Sequence, residues 1–420
     1  MRFAAAGARI AIVILVFVGV SGCATRGAYE PATAAEVGFL ERVQTETQGG
    51  VTVTVAVPSP EEARELLGFK ADRKGVQAVW IQVENRSDKV YWFMSYALDP
   101  EYFSPLEVAW MGRSKYTKSA RAAMEEYLHS NAMPAVIRAG ETTSGYAFVN
   151  QTLGARPVFI ELAGEHQDVL TFEFLVRIPG LSTDYLQVDF DTLYDGYEDM
   201  DREKLRGWLE RQPATVTNQK ETKLGDPLNL VVVGTREAIF PPFARAGWHV
   251  TETTSASSVW KTITSSVFRR RYLYSPISAL YVWARPQDIA LQKARATVDE
   301  RNHLRLWLAP VTCDGELVWL GQISRDIGVR FTFQSPTIST HKIDPDVDET
   351  RSGLLQELVY AQGVKGFAFV AGVGAAPIDV PRGNLTGDPY FTDGLRLVLF
   401  MSEERVAIDE LEFLEWEMPP

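Results

Sequence analysis

The sequence predicts an α+β protein: an N-terminal immunoglobulin-like β-sandwich over 46–180, followed by a mixed α/β domain over 225–400. Three observations predict it. Short runs of strictly alternating apolar and polar residues mark half-buried strands in the first half. Continuous apolar runs, interleaved with helical stripes, mark strands buried on both faces in the second half. Between them the acidic, Pro-containing stretch 181–224 has the composition of a linker.

Each element has its own warrant. Val51-Thr52-Val53-Thr54-Val55 alternates as a half-buried strand must, and Val76 to Val83 does likewise. Asn85 to Lys89 is a polar turn into Val90-Tyr91-Trp92-Phe93. Val158 to Leu162 and Val169 to Val176 are two further strands around the turn Gly164 to Gln167, a spacing that suits a sandwich. One helix interrupts them, because Tyr116, Ala120, Met124, Tyr127 and Leu128 fall on one face of a 3.6-residue period.

A short helix is expected near Asp201 to Leu209. In the second domain Leu228 to Val233 reads as a strand buried on both faces, and Leu280 to Ala284 as another. Pro241 and Pro242 should break or kink the helix that Arg236 to Ala246 would form. Val259, Ile263 and Val267 give a helical stripe ending at Arg269-Arg270-Arg271, whose charge complements the helix dipole, the alternative being an anion or lipid-headgroup contact. Asn302 to Ile327 forms a hairpin turning at Asp314-Gly315, a dipeptide suited to a two-residue turn. Leu354, Leu355, Leu358 and Val359 mark a helix with Gly363 placed to end it. Gly366 to Val370 and Leu395 to Phe400 are strands, and the acidic tail 401–420 alternates in a way that suits an edge strand.

The N-terminus carries a compartment signal. Arg2 and Arg9 flank the start of an apolar run, Ile10 to Val20, too short to span a bilayer, which takes about 20 apolar residues. It closes on Val20-Ser21-Gly22-Cys23, which resembles the lipobox of bacterial lipoproteins. That resemblance implies removal of the signal peptide 1–22, acylation of Cys23, a tether over 23–45, and attachment to the membrane through the lipid anchor. Ala24 after the cysteine implies the outer membrane, facing the periplasm. The chain has a net charge of −12, so nucleic acid and anionic lipid surfaces are both poor partners for the chain as a whole. Its two cysteines leave only Cys313 once Cys23 is acylated, which excludes a disulfide framework.

Five motifs then occur in order: Gly225-Asp226-Pro227-Leu228-Asn229, Arg285-Pro286-Gln287-Asp288, His303-Leu304-Arg305-Leu306-Trp307, Ser324-Arg325-Asp326, and His341-Lys342-Ile343-Asp344-Pro345-Asp346. Together, over about 225–375, they resemble the LssY C-terminal domain family. In that family the domain often follows membrane segments similar to type 2 phosphatidic acid phosphatases, while its own activity is unassigned. The resemblance implies envelope association and no particular reaction. Ser324-Arg325 is not followed by the spaced His and Asp of the phosphatase signature, so that activity does not carry over.

Candidate chemistry sits on the hairpin. Counting outward from Asp314-Gly315 sets His303 opposite Asp326 and Arg305 opposite Ser324, on the face away from Leu304, Leu306 and Leu308. His303, Arg305, Trp307, Gln322, Ser324 and Asp326 would form one polar patch, and a bulge at Pro310 with a one-residue slip would exchange the faces and abolish it. His341 and Asp344 are a second pair. Their long connection from Asp326 allows all four to hold a divalent metal, and a cap at Asp344 with Pro345 at the first helical position is the competing structural role. Asp344, Asp346 and Asp348 open like a calcium loop, but Glu349 and Leu355 stand where that motif needs Gly and Glu. Asp388 and Asp393 shape a turn, and Cys313 is a buried small residue. The leading expectation is an envelope lipoprotein that binds an envelope protein or small ligand. The alternative is a metal-dependent hydrolase acting on an envelope phosphate or ester.

Overall fold

The computed structural model describes residues 28–152, 154–166, 168–180, 190, 192–250, 279–294, 301–331 and 339–420. The lipobox, the helix expected from Val259 to Val267 and the Arg269 to Arg271 run lie outside them.

In the first half, β1 (Gln44–Gln48) and β2 (Val51–Ala56) form a hairpin through Gly49-Gly50, both at positive φ. Then come α1 (Pro60–Leu67), β3 (Val76–Asn85), β4 (Tyr91–Phe93), α2 (Ser95–Leu98), α3 (Pro105–Gly112), α4 (Lys118–Ser130), β5 (Val136–Ile137), β6 (Thr142–Asn150), β7 (Ala155–Ala163) and β8 (Val169–Arg177). Ser59 and Ser104 start α1 and α3 with capping boxes, each followed by Pro at the first turn. The strands make two antiparallel four-stranded sheets, ordered β1-β2-β3-β6 and β5-β4-β7-β8. Alternation explains what they share: Val51, Val53, Val55, Ile81 and Val83 of one sheet meet Val158, Ile160, Leu162, Phe172 and Phe174 of the other in a single core. The opposite face of the first sheet is also covered, because Ala78, Tyr146 and Phe148 pack beneath Leu66 of α1, Val108 of α3 and Met124 and Leu128 of α4.

The second half continues with β9 (Glu198–Met200), α5 (Arg202–Leu209), β10 (Thr215–Thr217), β11 (Leu224–Pro227), β12 (Leu230–Val233), α6 (Arg236–Arg245), β13 (His249–Val250), β14 (Tyr281–Val282), β15 (Arg285–Pro286) and β16 (Ile289–Ala294). It ends with β17 (Arg301–Cys313), β18 (Glu316–Phe331), β19 (Ser339–Ile343), α7 (Val347–Tyr360), β20 (Val364–Ala371), β21 (Arg382–Gly383), β22 (Pro389–Tyr390), β23 (Leu395–Met401) and β24 (Glu412–Leu414). One mixed sheet runs β13-β16-β17-β18-β12-β23-β20-β24, with β9 added to β17 and β19 to β18. Within it β12 lies antiparallel to β18 and parallel to β23. Both sheet faces are therefore covered, as the apolar run of β12 requires. Leu230, Val232, Leu304, Leu306 and Leu308 face α6 and α7, while Val231, Val233, Trp307 and Leu320 face α5 and the small sheet β11-β10-β14-β15. The architecture is α+β, as expected.

Several local expectations give way. The tether expected over 23–45 is already packed from Tyr29 onward: Phe39 is fully buried, an exclusion from water that stabilises by about 2 kcal/mol. Within the stretch 181–224, residues from 198 supply β9, α5 and β10, with Leu205 and Leu209 in the core. Leu280 to Ala284 is not a buried central strand, because Trp283 and Ala284 adopt positive φ and turn the chain from β14 into β15. Helix α6 runs through Pro241 and Pro242, with Ile239, Phe240 and Phe243 holding it to the core. At the end of α7 the left-handed residue is Gln362, not Gly363. Gly363 serves close approach instead: a Cβ there would sit 2.0 Å from the Pro242 ring.

The two halves meet through ion pairs and a cation–π contact, Arg245 lying 5.5 Å from the Phe159 ring centroid. Arg245 donates from Nη1 to both carboxylate oxygens of Glu173 at 2.7 and 2.8 Å. Arg405 reaches Glu161 at 3.0 Å and Glu173 at 3.1 Å. Between the halves lies a cavity of about 470 Å³ lined in part by Phe159, Phe240, Phe243 and Trp248.

Candidate functional site: a buried polar cluster on the long hairpin

The cluster is built on β16, β17 and β18. Asp314 and Gly315, at φ 51° and 81°, make the tight turn that their sequence implied. Cys313 pairs with Glu316 and Thr312 with Leu317, but three residues, Ala309 to Val311, then face one, Val318. Pro310 cannot donate to the ladder, so the strand bulges there. Beyond the bulge the register is offset by two: His303 lies opposite Ser324 and Arg305 opposite Gln322, not Asp326 and Ser324 as counted from the turn. An offset of two keeps every side chain on its face. His303 still meets Asp326 diagonally, with Nε2 2.6 Å from Oδ2.

Nor is the patch a surface. His303, Arg305, Gln322, Ser324 and Asp326 are buried, as are Gln292 and Arg301 beside them. Trp307, expected in the same patch, is fully buried in the apolar core. Arg305 donates to Gln322 at 2.8 Å and Arg301 to Gln292 at 3.0 Å. Asp226, from β11, lies close enough to Arg305, Asp326 and Asp388 to feel their charges, and accepts a hydrogen bond from Asn384 at 3.1 Å.

Electrostatics follow from the burial. Loss of water pushes the His303 imidazole down to about 4; Arg301 and Arg305 add to this, and Asp326 opposes it. Neutral at pH 7, the ring donates from Nε2 to Asp326 and leaves Nδ1 as a bare acceptor. Among the described residues, His303 Nδ1 and Gln322 Nε2 have no hydrogen-bond partner. Burial also pushes Arg305 down to about 10, so it stays charged, and raises Asp226 above the usual carboxylate range.

The remaining sequence-derived candidates, His341 and Asp344, lie on and after β19, where Ile343 pairs with Asp326. Asp344 accepts from the Asp346 amide at 3.1 Å and lies 3.9 Å from Arg325. That local turn passes the cap to Asp346, whose carboxylate accepts from the Glu349 amide, so Asp344 is not the N-cap of α7. His341 lies in β19 opposite Val329, and its side chain is outside the described set. Among the described residues no three His, Cys, Asp or Glu side chains gather as metal ligands. Cys313 is buried, and burial pushes its thiol up to about 12. Asp393 binds the buried Arg351 through both carboxylate oxygens at 3.0 and 2.7 Å.

Three members of the cluster, Asp226, Gln292 and Arg301, are not among the site residues that the sequence suggests; Arg301 precedes the hairpin motif and carries no signal of its own. Asp226 stood in a motif without a role. Gln292 had the alternation of Ile289 to Ala294 as its only signal, on the face shared with His303, its partner across β16 and β17.

The other motif residues brace the hairpin. Asn229 is fully buried and clasps Ile323, accepting from its amide at 3.0 Å and donating to its carbonyl at 3.3 Å. Asp288 accepts from the Leu308 amide at 2.6 Å, next to the bulge. Residues 209–395 match the family described as LssY C-terminus, a span that contains all five motifs. No curated protein matches the chain.

Proposed function

With residues 209–395 as an LssY C-terminal domain, we propose that the protein is a lipid-anchored envelope protein whose C-terminal domain is a binding module. Its recognition core would be Asp226, His303, Arg305 and Asp326. The anchor is acylated Cys23 after removal of 1–22, on the periplasmic face of the outer membrane, and the N-terminal pair of sheets is an immunoglobulin-like sandwich. One observation carries the binding reading: charged side chains from three separated segments converge in a buried place where His303 Nδ1 and Gln322 Nε2 lack partners. Native proteins rarely leave buried polar atoms unsatisfied, so an orphaned acceptor and an orphaned donor in one buried cluster argue for a small polar ligand or ordered water. Native mass spectrometry of gently purified full-length protein looks for the occupant directly. A species bound to wild type and lost in His303→Ala and Gln322→Ala supports the module; an empty wild-type site in every preparation would sink it.

The second reading is a metal-dependent hydrolase for an envelope phosphate or ester. It is favoured by the bare Nδ1 of a neutral His303, the form that ligates metals. Asp326, His341 and Asp344 would be the further ligands, and the metal would supply a hydroxide nucleophile. Elemental analysis decides it. Stoichiometric metal in wild type, absent from His303→Ala, supports the hydrolase, and metal-free wild type without esterase or phosphatase activity removes it.

A further inference from the structure

We propose that the face formed by α3 and the start of α4 docks flat on an anionic lipid surface, so that the anchored protein lies on its bilayer instead of swinging from it. The inference rests on the lipid-anchor reading for its geometry and on the surface chemistry of 102–121 for its partner.

The exposed apolar side chains here are of the kind that populates membrane interfaces. Tyr102, Leu106 and Trp110 are 50%, 53% and 63% exposed, and Leu106 and Trp110 stand one turn apart on the outer side of α3. Val108, Ala109 and Gly112 take the inner side, where a Cβ on Gly112 would strike the Phe69 ring at 2.6 Å. The helix is thus fixed by its buried face and cannot roll its tryptophan inward. Tryptophan and tyrosine, apolar bodies with a polar tip, favour the headgroup level of a bilayer.

Charge points to the same partner. Arg113, Lys115, Lys118 and Arg121 follow within nine positions without an intervening acid, in a chain whose net charge is −12. Arg113 lies over the Trp110 ring at 3.1 Å from its centroid. Arg121 donates from Nε to the Arg113 and Tyr116 carbonyls at 2.9 and 3.1 Å, which ties the connection between the helices into one rigid shape. Basic residues near an anionic leaflet gain about 1 kcal/mol each.

Chain connectivity brings this face to the membrane. Tyr29 packs edge-on against Tyr116 and Tyr127, with ring centroids 5.3 and 5.8 Å apart. Cys23 is only a few residues earlier, and at 3.3–3.6 Å per residue the intervening chain spans at most about 20 Å. An acyl chain on Cys23 therefore holds Tyr29 within that distance of the lipid, and Tyr116, with Arg113 to Lys118 around it, only the 5.3 Å ring contact and a side-chain length further.

The test uses the full-length protein, its N-terminus read by mass spectrometry, on vesicles of phosphatidylethanolamine and phosphatidylglycerol. A fluorophore is placed at Ser114→Cys or, in the C-terminal domain, at exposed Asp379→Cys; buried Cys313 is spared. A lipid-borne quencher is expected to remove most of the emission at 114 and little at 379. Arg113→Glu, Lys115→Glu and Lys118→Glu together should restore emission at 114 while the anchor holds. Equal quenching at both positions, or none at 114 on anchored protein, overturns the docking face. An unacylated N-terminus would sink the anchor reading alone. The same quenching, with that protein added to phosphatidylglycerol vesicles, then decides the face by itself.

Discussion

His303 pairs across the hairpin with Ser324 yet hydrogen-bonds Asp326, two residues further along the same face of β18, at 2.6 Å. Diagonal neighbours on an antiparallel pair are within reach of long side chains. The bond fixes the ring with Nε2 toward the carboxylate and leaves Nδ1 with its lone pair unmatched. Arg305 adds a permanent positive charge two residues along.

Acid should therefore weaken the fold through His303. The unfolded imidazole titrates near 6.5 and the native one near 4. Between those values the unfolded chain binds a proton that the native state refuses. The contribution is complete above pH 6.5 and is lost as pH falls toward 4, at about 1.4 kcal/mol per pH unit. Urea titrations at several pH values should show a shallower loss in His303→Gln than in wild type. Parallel curves through that window would contradict the assignment.

Arg396 should behave as a buried staple. Its guanidinium donates to the carbonyls of Leu209, Gln212, Pro213, Leu228 and Gly372, joining α5 and the approach to β12 with the end of β20. Burial brings its pKa down to about 10, so the charge persists at neutral pH. Arg396→Met orphans those carbonyls and should cost about 3 kcal/mol or more by chemical denaturation. A loss below about 1 kcal/mol would show that water replaces the guanidinium.

At the start of α7 the two aspartates should separate. Asp346→Ala removes the cap on the Glu349 amide and should cost about 1 kcal/mol. Asp344→Ala breaks a turn contact to the Asp346 amide and a long ion pair, and should cost less. Thermal melts of the two variants rank them; the reverse order would return the cap to Asp344.

Limited proteolysis should spare 198–217. Those residues are β9, α5 and β10 with a short turn at 210–214 between α5 and β10, and Met200, Leu205 and Leu209 are buried, so cleavage needs the C-terminal sheet to open. Peptide mapping of the earliest cuts reads this directly, and a first cut inside α5 would contradict its place in the fold.

Local patterns made much of this structure legible. Alternation located β2, β3, β7 and β8, and Asp314-Gly315 located the hairpin. The pairing beyond the bulge was not legible from the turn, because nothing in the sequence says that Ala309 to Val311 face one residue. The shared face survived because the offset is even. Burial of the patch was hidden for another reason: Asp226 and Asn384 come from distant parts of the chain, and local hydropathy carries no trace of them. Similarly, Gly363 looked like a helix terminator, and only the Pro242 ring packed against it shows why a side chain is excluded.

Strand β12 has a consequence for how the chain is made. Its neighbours are Val318–Gly321 on one side and Leu397–Phe400 on the other. The second partner emerges from the ribosome well over a hundred residues later, and such distant pairings are slow to form. The N-terminal sheets can condense while the rest is still being synthesised, but the C-terminal sheet has no complete centre until its last long strand arrives. A chain stopped before Leu397 would carry Leu230–Val233 as a naked apolar edge, the kind of surface that recruits strands from other molecules. Nonsense truncations within the last two dozen residues should thus divide sharply, with aggregation when β23 is lost and soluble protein when only β24 is missing.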